Sequence, residues 1–133
     1  MSTPTSHAVT LKLFLVDDND DTRHLLTQLL QASGYEVRTA ATKTDALRDF
    51  PPFGADVLLT DIGLPDGDGW ELLRELTDAG LSPYAIAMSG FGALSDLAAS
   101  KRAGFRHHLV KPIELGALER VLQEACEEIT APH

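Results

Sequence analysis

Four charged side chains stand directly behind short apolar runs. Asp17 and Asp18 follow Leu13-Phe14-Leu15-Val16, Asp61 follows Val57-Leu58-Leu59-Thr60, and Lys111 follows His108-Leu109-Val110 with Pro112 behind it. If those runs are neighbouring parallel strands, the charges meet at one sheet edge. Carboxylates crowded in that way repel, so they call for a divalent cation and a nearby ammonium to keep them ionised. That is the electrostatic shape of a phosphate-handling site. Oxygen donors suit Mg²⁺, which takes one or two carboxylates plus a phosphate oxygen and keeps several waters. A carboxylate can also attack phosphorus and become an aspartyl phosphate. Ser89, placed after another apolar run, could donate a hydrogen bond to one phosphoryl oxygen while Lys111 neutralises another.

Behind Asp61 comes Ile62-Gly63-Leu64-Pro65-Asp66-Gly67-Asp68-Gly69, a stretch whose proline and glycines dictate a tight, backbone-rich loop. Asp66 and Asp68 invite reading as further ligands. Turn formation and capping of the following helix explain them more simply.

The elements that must position these groups alternate. Short apolar runs near Lys12–Val16, Glu36–Ala40, Val57–Thr60, Ala85–Met88 and His107–Val110 are separated by amphipathic stretches. This rhythm predicts an α/β fold, a parallel sheet with helices on both faces. The first helix starts near Asp20 or Asp21, either able to cap it, presents Leu25, Leu26, Leu29 and Leu30, and stops at Gly34. A second is predicted over Lys43–Phe50, ended by Pro51 and Pro52. A third covers Gly69–Ala79, with Trp70 packing at its start. Leu94–Ala103 gives a fourth, weakly amphipathic one. The last, Glu114–Ile129, carries a stripe of Leu115, Leu118, Leu122, Cys126 and Ile129. In such a sheet ligands bind outside the carboxyl ends of the strands, where Asp17, Asp18, Asp61, Ser89 and Lys111 fall.

Bulk properties narrow the classes. The 133 residues fit one domain, expected over 11–130 with a disordered lead-in or linker at 1–10 and a short tail at 131–133. With 20 acidic against 11 basic residues the net charge is -9, so direct nucleic-acid binding is not expected. The single cysteine, Cys126, cannot form an internal disulfide and reads as a packing thiol. No apolar stretch approaches the roughly 20 residues that cross a bilayer, and no signal pattern opens the chain, so a soluble cytoplasmic domain without membrane contact is expected. His24, His107 and His108 share no zinc-ligand spacing with the cysteine. A calcium loop from Asp17 to Gln28 lacks the glycine and glutamate that such a loop needs.

Taken together, Val16-Asp17-Asp18, Thr60-Asp61-Ile62-Gly63-Leu64-Pro65-Asp66-Gly67, Met88-Ser89-Gly90 and Val110-Lys111-Pro112 resemble the motifs of response regulator receiver domains of two-component signalling, over nearly all of 11–129. The resemblance implies a flavodoxin-like (βα)5 doubly wound sheet in the strand order 2-1-3-4-5. It implies phosphorylation of Asp61 by a histidine kinase or a histidine phosphotransfer protein. It further implies Mg²⁺ held by Asp18, Asp61 and the Gly63 carbonyl, with Asp17 acting through water. Lys111 would pair with the phosphoryl group, Ser89 would turn toward it as a switch, and the Lys111-Pro112 bond would be cis. Output, and a homodimer if one forms, would use the face of the fourth helix, fifth strand and fifth helix. The domain would be a phosphoacceptor, catalysing only its own phosphoryl transfer and slow autodephosphorylation.

Two positions depart from the family. Where it usually carries Tyr or Phe, three residues before Lys111, this chain has His108, whose ring either packs as an aromatic would or alters the switch. Because imidazole titrates near neutrality, signalling through His108 is expected to depend on pH. Neither Gly63 nor Phe91, each two residues beyond a site residue, can orient a hydrolytic water, so dephosphorylation should not be fast. No effector segment is expected after His133, nor a DNA-binding output module within the chain. Segments such as Ala87-Met88-Ser89-Gly90-Phe91-Gly92 and His107-His108-Leu109 resemble hybrid-kinase receivers, favouring that origin over a stand-alone receiver. The different-class alternative is a small Mg²⁺-dependent phosphohydrolase with Asp61 as nucleophile, although Gly63 stands where such enzymes carry a second acid.

Overall fold

The structure, a computed structural model, describes residues 11–90 and 94–131, with side chains from residue 96 onward in the second stretch. The lead-in, the end of the tail and the expectation built on Phe91 lie outside the described residues.

Five strands form one parallel sheet: β1 (Lys12–Val16), β2 (Glu36–Ala40), β3 (Val57–Asp61), β4 (Tyr84–Ser89) and β5 (His107–Val110). Their spatial order is β2-β1-β3-β4-β5, the flavodoxin-like order expected of a receiver. Among the described residues five helices flank the sheet: α1 (Asp20–Ala32), α2 (Lys43–Phe53), α3 (Gly69–Asp78), α4 (Leu94–Ala103) and α5 (Leu115–Thr130).

Period-two alternation along the strands divides the core into two layers. Leu13, Leu15, Val57, Leu59, Ile86 and Met88 pack with Leu26 and Leu30 of α1 and with Leu118, Val121 and Leu122 of α5. Phe14, Val16, Leu58, Ala85 and Ala87 turn to the other side, against Phe50, Phe53, Leu72, Leu73 and Leu76 of α2 and α3. With both faces covered, β3 and β4 are buried at every residue, and the polar groups at their ends are fixed by a rigid support.

Four local expectations need correction. Asn19, not Asp20 or Asp21, caps α1: its side chain accepts from the Thr22 N–H at 2.9 Å, leaving the two aspartates in the first turn, where the helix dipole favours them. Helix α2 runs through Pro51 and Pro52 to Phe53 and ends on Gly54, whose φ of 71° is left-handed. Burial of Phe53, tilted against Phe14 at 6.3 Å between ring centroids, offsets the hydrogen bonds the prolines remove. Leu25 and Leu115, placed in helix stripes, are 56% and 45% exposed, while Val121 and Ala125 supply the buried face of α5. Cys126 is half-buried at the margin of the core.

Between β3 and α3 the chain makes a short antiparallel ladder, Gly63–Leu64 against Gly67–Asp68. Asp68 then caps α3 in a reciprocal box with Glu71, as expected. Asp66 does something else: its carboxylate accepts from the Lys43 and Thr44 N–H groups at 2.7 and 2.9 Å and from the Thr44 hydroxyl at 2.6 Å. It ties the loop behind Asp61 to the first turn of α2.

Candidate functional site

Strand register brings the sequence-distant groups to one level. Val16 pairs with Thr60, Asp61 with Met88, and Ser89 with Val110, so Asp17, Asp61, Ser89 and Lys111 emerge together at the carboxyl edge of β1, β3, β4 and β5. Backbone bonds carry the alignment past the strand ends: Asp17 N–H donates to Ala40 O, Ile62 N–H to Met88 O, and Lys111 N–H to Ser89 O at 2.7 Å. The Lys111-Pro112 bond is cis.

Asp17, Asp18 and Asp61 offer carboxylate oxygens that all lie within 4.8 Å of one another. Asp17 and Asp61 are buried and Asp18 is exposed, so the group is dry on one side and open on the other. One Asp17 oxygen accepts from the Asn19 N–H at 2.9 Å, which fixes the turn leading into α1. The Lys111 ammonium reaches Asp61 at 2.7 Å and Asp17 at 3.1 Å. With all three carboxylates ionised, the Lys111 ammonium does not balance them and the site is negative. A hard divalent cation matches both that charge and the all-oxygen donor set, and the residues present therefore fit Mg²⁺.

Burial, then the hydrogen-bonded Asp17 carboxyl, pushes the Asp61 carboxyl up to about 7, against the opposing pull of Lys111. Burial works against the Lys111 charge, yet its bonds to Asp61 and Asp17 outweigh that and raise its pKa. A proton and a cation thus compete for one carboxylate.

Gly63 lies two residues beyond Asp61 at the start of the small ladder, open enough that a Cβ there would meet nothing within 4 Å. The next constraint is tighter. A Cβ on Gly69 would come within 2.5 Å of the Asp61 carbonyl oxygen, so only glycine lets α3 begin against the strand that presents Asp61.

Ser89 is the last of the site residues, and His108 on β5 stands behind it without touching the carboxylates or Lys111. The Ser89 hydroxyl lies 2.7 Å from His108 Nε2, and His108 Nδ1 lies 2.9 Å from the hydroxyl of Ser100 on α4. Ser100 is 1% exposed and also accepts from the Trp70 indole N–H at 2.9 Å. His108 is therefore bound through both ring nitrogens, and the reading of it as simple aromatic packing is too weak. Ser100 carried no signal in the sequence, because a serine within a helix is ordinary until the fold sets it against another element. His107 lies beside it on β5 but bonds the Tyr84 hydroxyl at 2.9 Å, a packing role away from the carboxylates.

Comparison with known proteins gives one answer. A family model described as the response regulator receiver domain matches residues 13–123. An uncharacterized 14.6 kDa protein of Leptolyngbya boryana is 34% identical, covering 87% of this chain and 90% of its own. The sensor histidine kinase RcsC of Salmonella typhi is 27% identical over 90% of this chain, which spans 13% of RcsC. Among solved structures, a CheY-like response regulator receiver domain protein from Methanospirillum hungatei superposes with a TM-score of 0.83 at 28% identity, covering 90% of this chain and 96% of the other.

Proposed function

This chain belongs to the response regulator receiver domain family, and from that premise we propose that it receives a phosphoryl group on Asp61 from a phosphohistidine, with Mg²⁺ bound at Asp18, Asp61 and the Gly63 carbonyl and with Asp17 acting through water. The observation that carries the reading is the buried Asp61 carboxylate 2.7 Å from Lys111 and grouped with two further carboxylates.

Chemically, an Asp61 oxygen attacks phosphorus as the nitrogen–phosphorus bond of the donor breaks, and the departing imidazole keeps the bond's electron pair and takes a proton from water. Mg²⁺, when bound, supplies positive charge to the phosphoryl oxygens in transit. Lys111 follows the charge: its ammonium, now paired with Asp61 and Asp17, would pair with a phosphoryl oxygen of the acyl phosphate. Ser89 donates to a second oxygen. Burial of Asp17 and Asp61 limits the access of water to the product, and Gly63 brings no side chain that could aim one. The acyl phosphate is accordingly long-lived and hydrolyses slowly.

As a receiver of two-component signalling the domain has a histidine kinase as its implied partner. The match to RcsC is compatible with a donor carried in the same polypeptide and the match to the 14.6 kDa Leptolyngbya boryana protein with a stand-alone receiver, and gene sequence upstream of Met1 distinguishes the two. Among the described residues no helix is long and apolar enough to cross a membrane.

The test is incubation with acetyl phosphate and Mg²⁺ followed by intact-mass analysis. One added phosphoryl group on wild type, none on Asp61→Asn and none with a chelator are expected. Steady turnover of a phosphomonoester, with no stable adduct, would instead mark a hydrolase.

A further inference from the structure

From Ser89 a chain of hydrogen bonds leads out of the site to Trp70, and its members beyond Ser89 take no part in the steps of phosphoryl transfer given above. It crosses from β4 to β5 at His108, to α4 at Ser100 and to α3 at Trp70. Its end lies at the surface, where Trp70, Arg74, Ala99 and Arg102 line a cleft of about 510 Å³ between α3 and α4. We propose that His108 is a positioning residue that couples the Ser89 hydroxyl to Ser100 and the Trp70 indole, so that arrival of a phosphoryl group at Asp61 is registered at the junction of α3 and α4.

The physical basis is the imidazole itself. A neutral ring has one N–H donor and one acceptor nitrogen, so what Ser89 does at Nε2 decides what Nδ1 offers Ser100. Burial lowers the pKa of His108, against a smaller pull from Asp96, which keeps the ring neutral. In the tautomer whose Nε2 accepts the Ser89 proton, turning that proton to a phosphoryl oxygen leaves Nε2 without its donor. Either Nε2 becomes the donor and Nδ1 the acceptor, or the contact to Ser89 opens. In both cases the partner that Ser100 meets has changed. Ser100 is fully enclosed and holds the indole N–H, and a buried hydroxyl re-aimed on one side is re-aimed on the other. A phenylalanine here could make neither bond, and a tyrosine carries its single polar atom at the ring tip. Only a ring with polar atoms on two sides spans Ser89 and Ser100 at once.

This inference rests on the phosphoacceptor reading, and its test separates the two. Trp70 is the single tryptophan, so its indole N–H resonance and its emission report one place. Phosphorylation by acetyl phosphate with Mg²⁺, quantified by intact mass on the same sample, should shift both in the wild type. Mg²⁺ alone on Asp61→Asn provides the blank. In His108→Phe and in Ser100→Ala the phosphoryl gain should persist while the indole shift falls at least fivefold; His108→Gln, which keeps a donor and an acceptor, should recover part of it. Nitrogen-15 shifts of the His108 ring should change on phosphorylation in wild type. Two variants on separate elements guard against one that fails to fold. An indole shift in His108→Phe equal to that of wild type, or none in fully phosphorylated wild type, overturns the coupling alone. Absence of phosphoryl gain in wild type overturns the phosphoacceptor reading and the coupling with it.

Discussion

Asp61 is held between a proton and a cation. With its carboxyl pushed up to about 7 by burial and by Asp17, the folded-state value exceeds the unfolded value of 3.8. A raised carboxyl pKa contributes stability that is full below the unfolded value and lost as pH rises through the folded one. The metal-free protein should therefore lose melting temperature between about pH 4 and pH 7 relative to Asp61→Asn, which should be the more stable by about 1–2 kcal/mol above that range. Urea midpoints across pH check this, and parallel curves for the two proteins would contradict it. His108 has the opposite sign. Its pKa is lowered by burial, so its contribution is present above the ordinary histidine value and lost as pH falls through the folded one. A pH response through this ring accordingly belongs on the acid side of neutrality, and the phosphorylated domain should bind its partner equally well at about pH 7 and pH 8. The charged residues of this site were legible in the sequence because each follows an apolar run. Ser100 and the Trp70 bond were not, since they depend on how α3, α4 and β5 pack.

At the scale of elements, the connection after β3 is what aims the acceptor. Gly69 permits α3 to start against the Asp61 carbonyl, and Gly69→Ala should cost about 1–3 kcal/mol and slow phosphorylation, because backbone rather than a flexible side chain would have to move. An unchanged unfolding midpoint and an unchanged phosphorylation rate would contradict that role. Asp68→Ala, which removes the capping box of α3, should cost about 1 kcal/mol in urea titration while leaving the phosphorylation rate close to wild type, because Asp68 touches the helix and not the carboxylates. The strands and their order followed from periodicity and resemblance, and all five helices were anticipated. What the sequence misjudged was local competition. Asn19 won the cap from two adjacent aspartates, and the core demand for Phe53 carried α2 past two prolines that by themselves would stop a helix. Both outcomes depend on contacts, not on propensity.

For the molecule as a whole, the cluster of Asp17, Asp18 and Asp61 exists only when β1 and β3 are paired, since its carboxylates come from chain positions far apart. Binding that requires the fold stabilises the fold. Mg²⁺ should raise the melting temperature of wild type, more at about pH 8 than at about pH 5 because protons compete for Asp61, and Asp18→Asn should blunt the effect. Equal shifts in wild type and Asp18→Asn would place the cation elsewhere. The central claim is narrower still: Asp61 itself carries the phosphorus. After acetyl phosphate and Mg²⁺, borohydride reduces an aspartyl phosphate to homoserine, and peptide mass spectrometry then reads its position. Homoserine at residue 61 alone is the expected result; homoserine at Asp17 or Asp18, or none in a sample whose intact mass shows the adduct, would contradict the account.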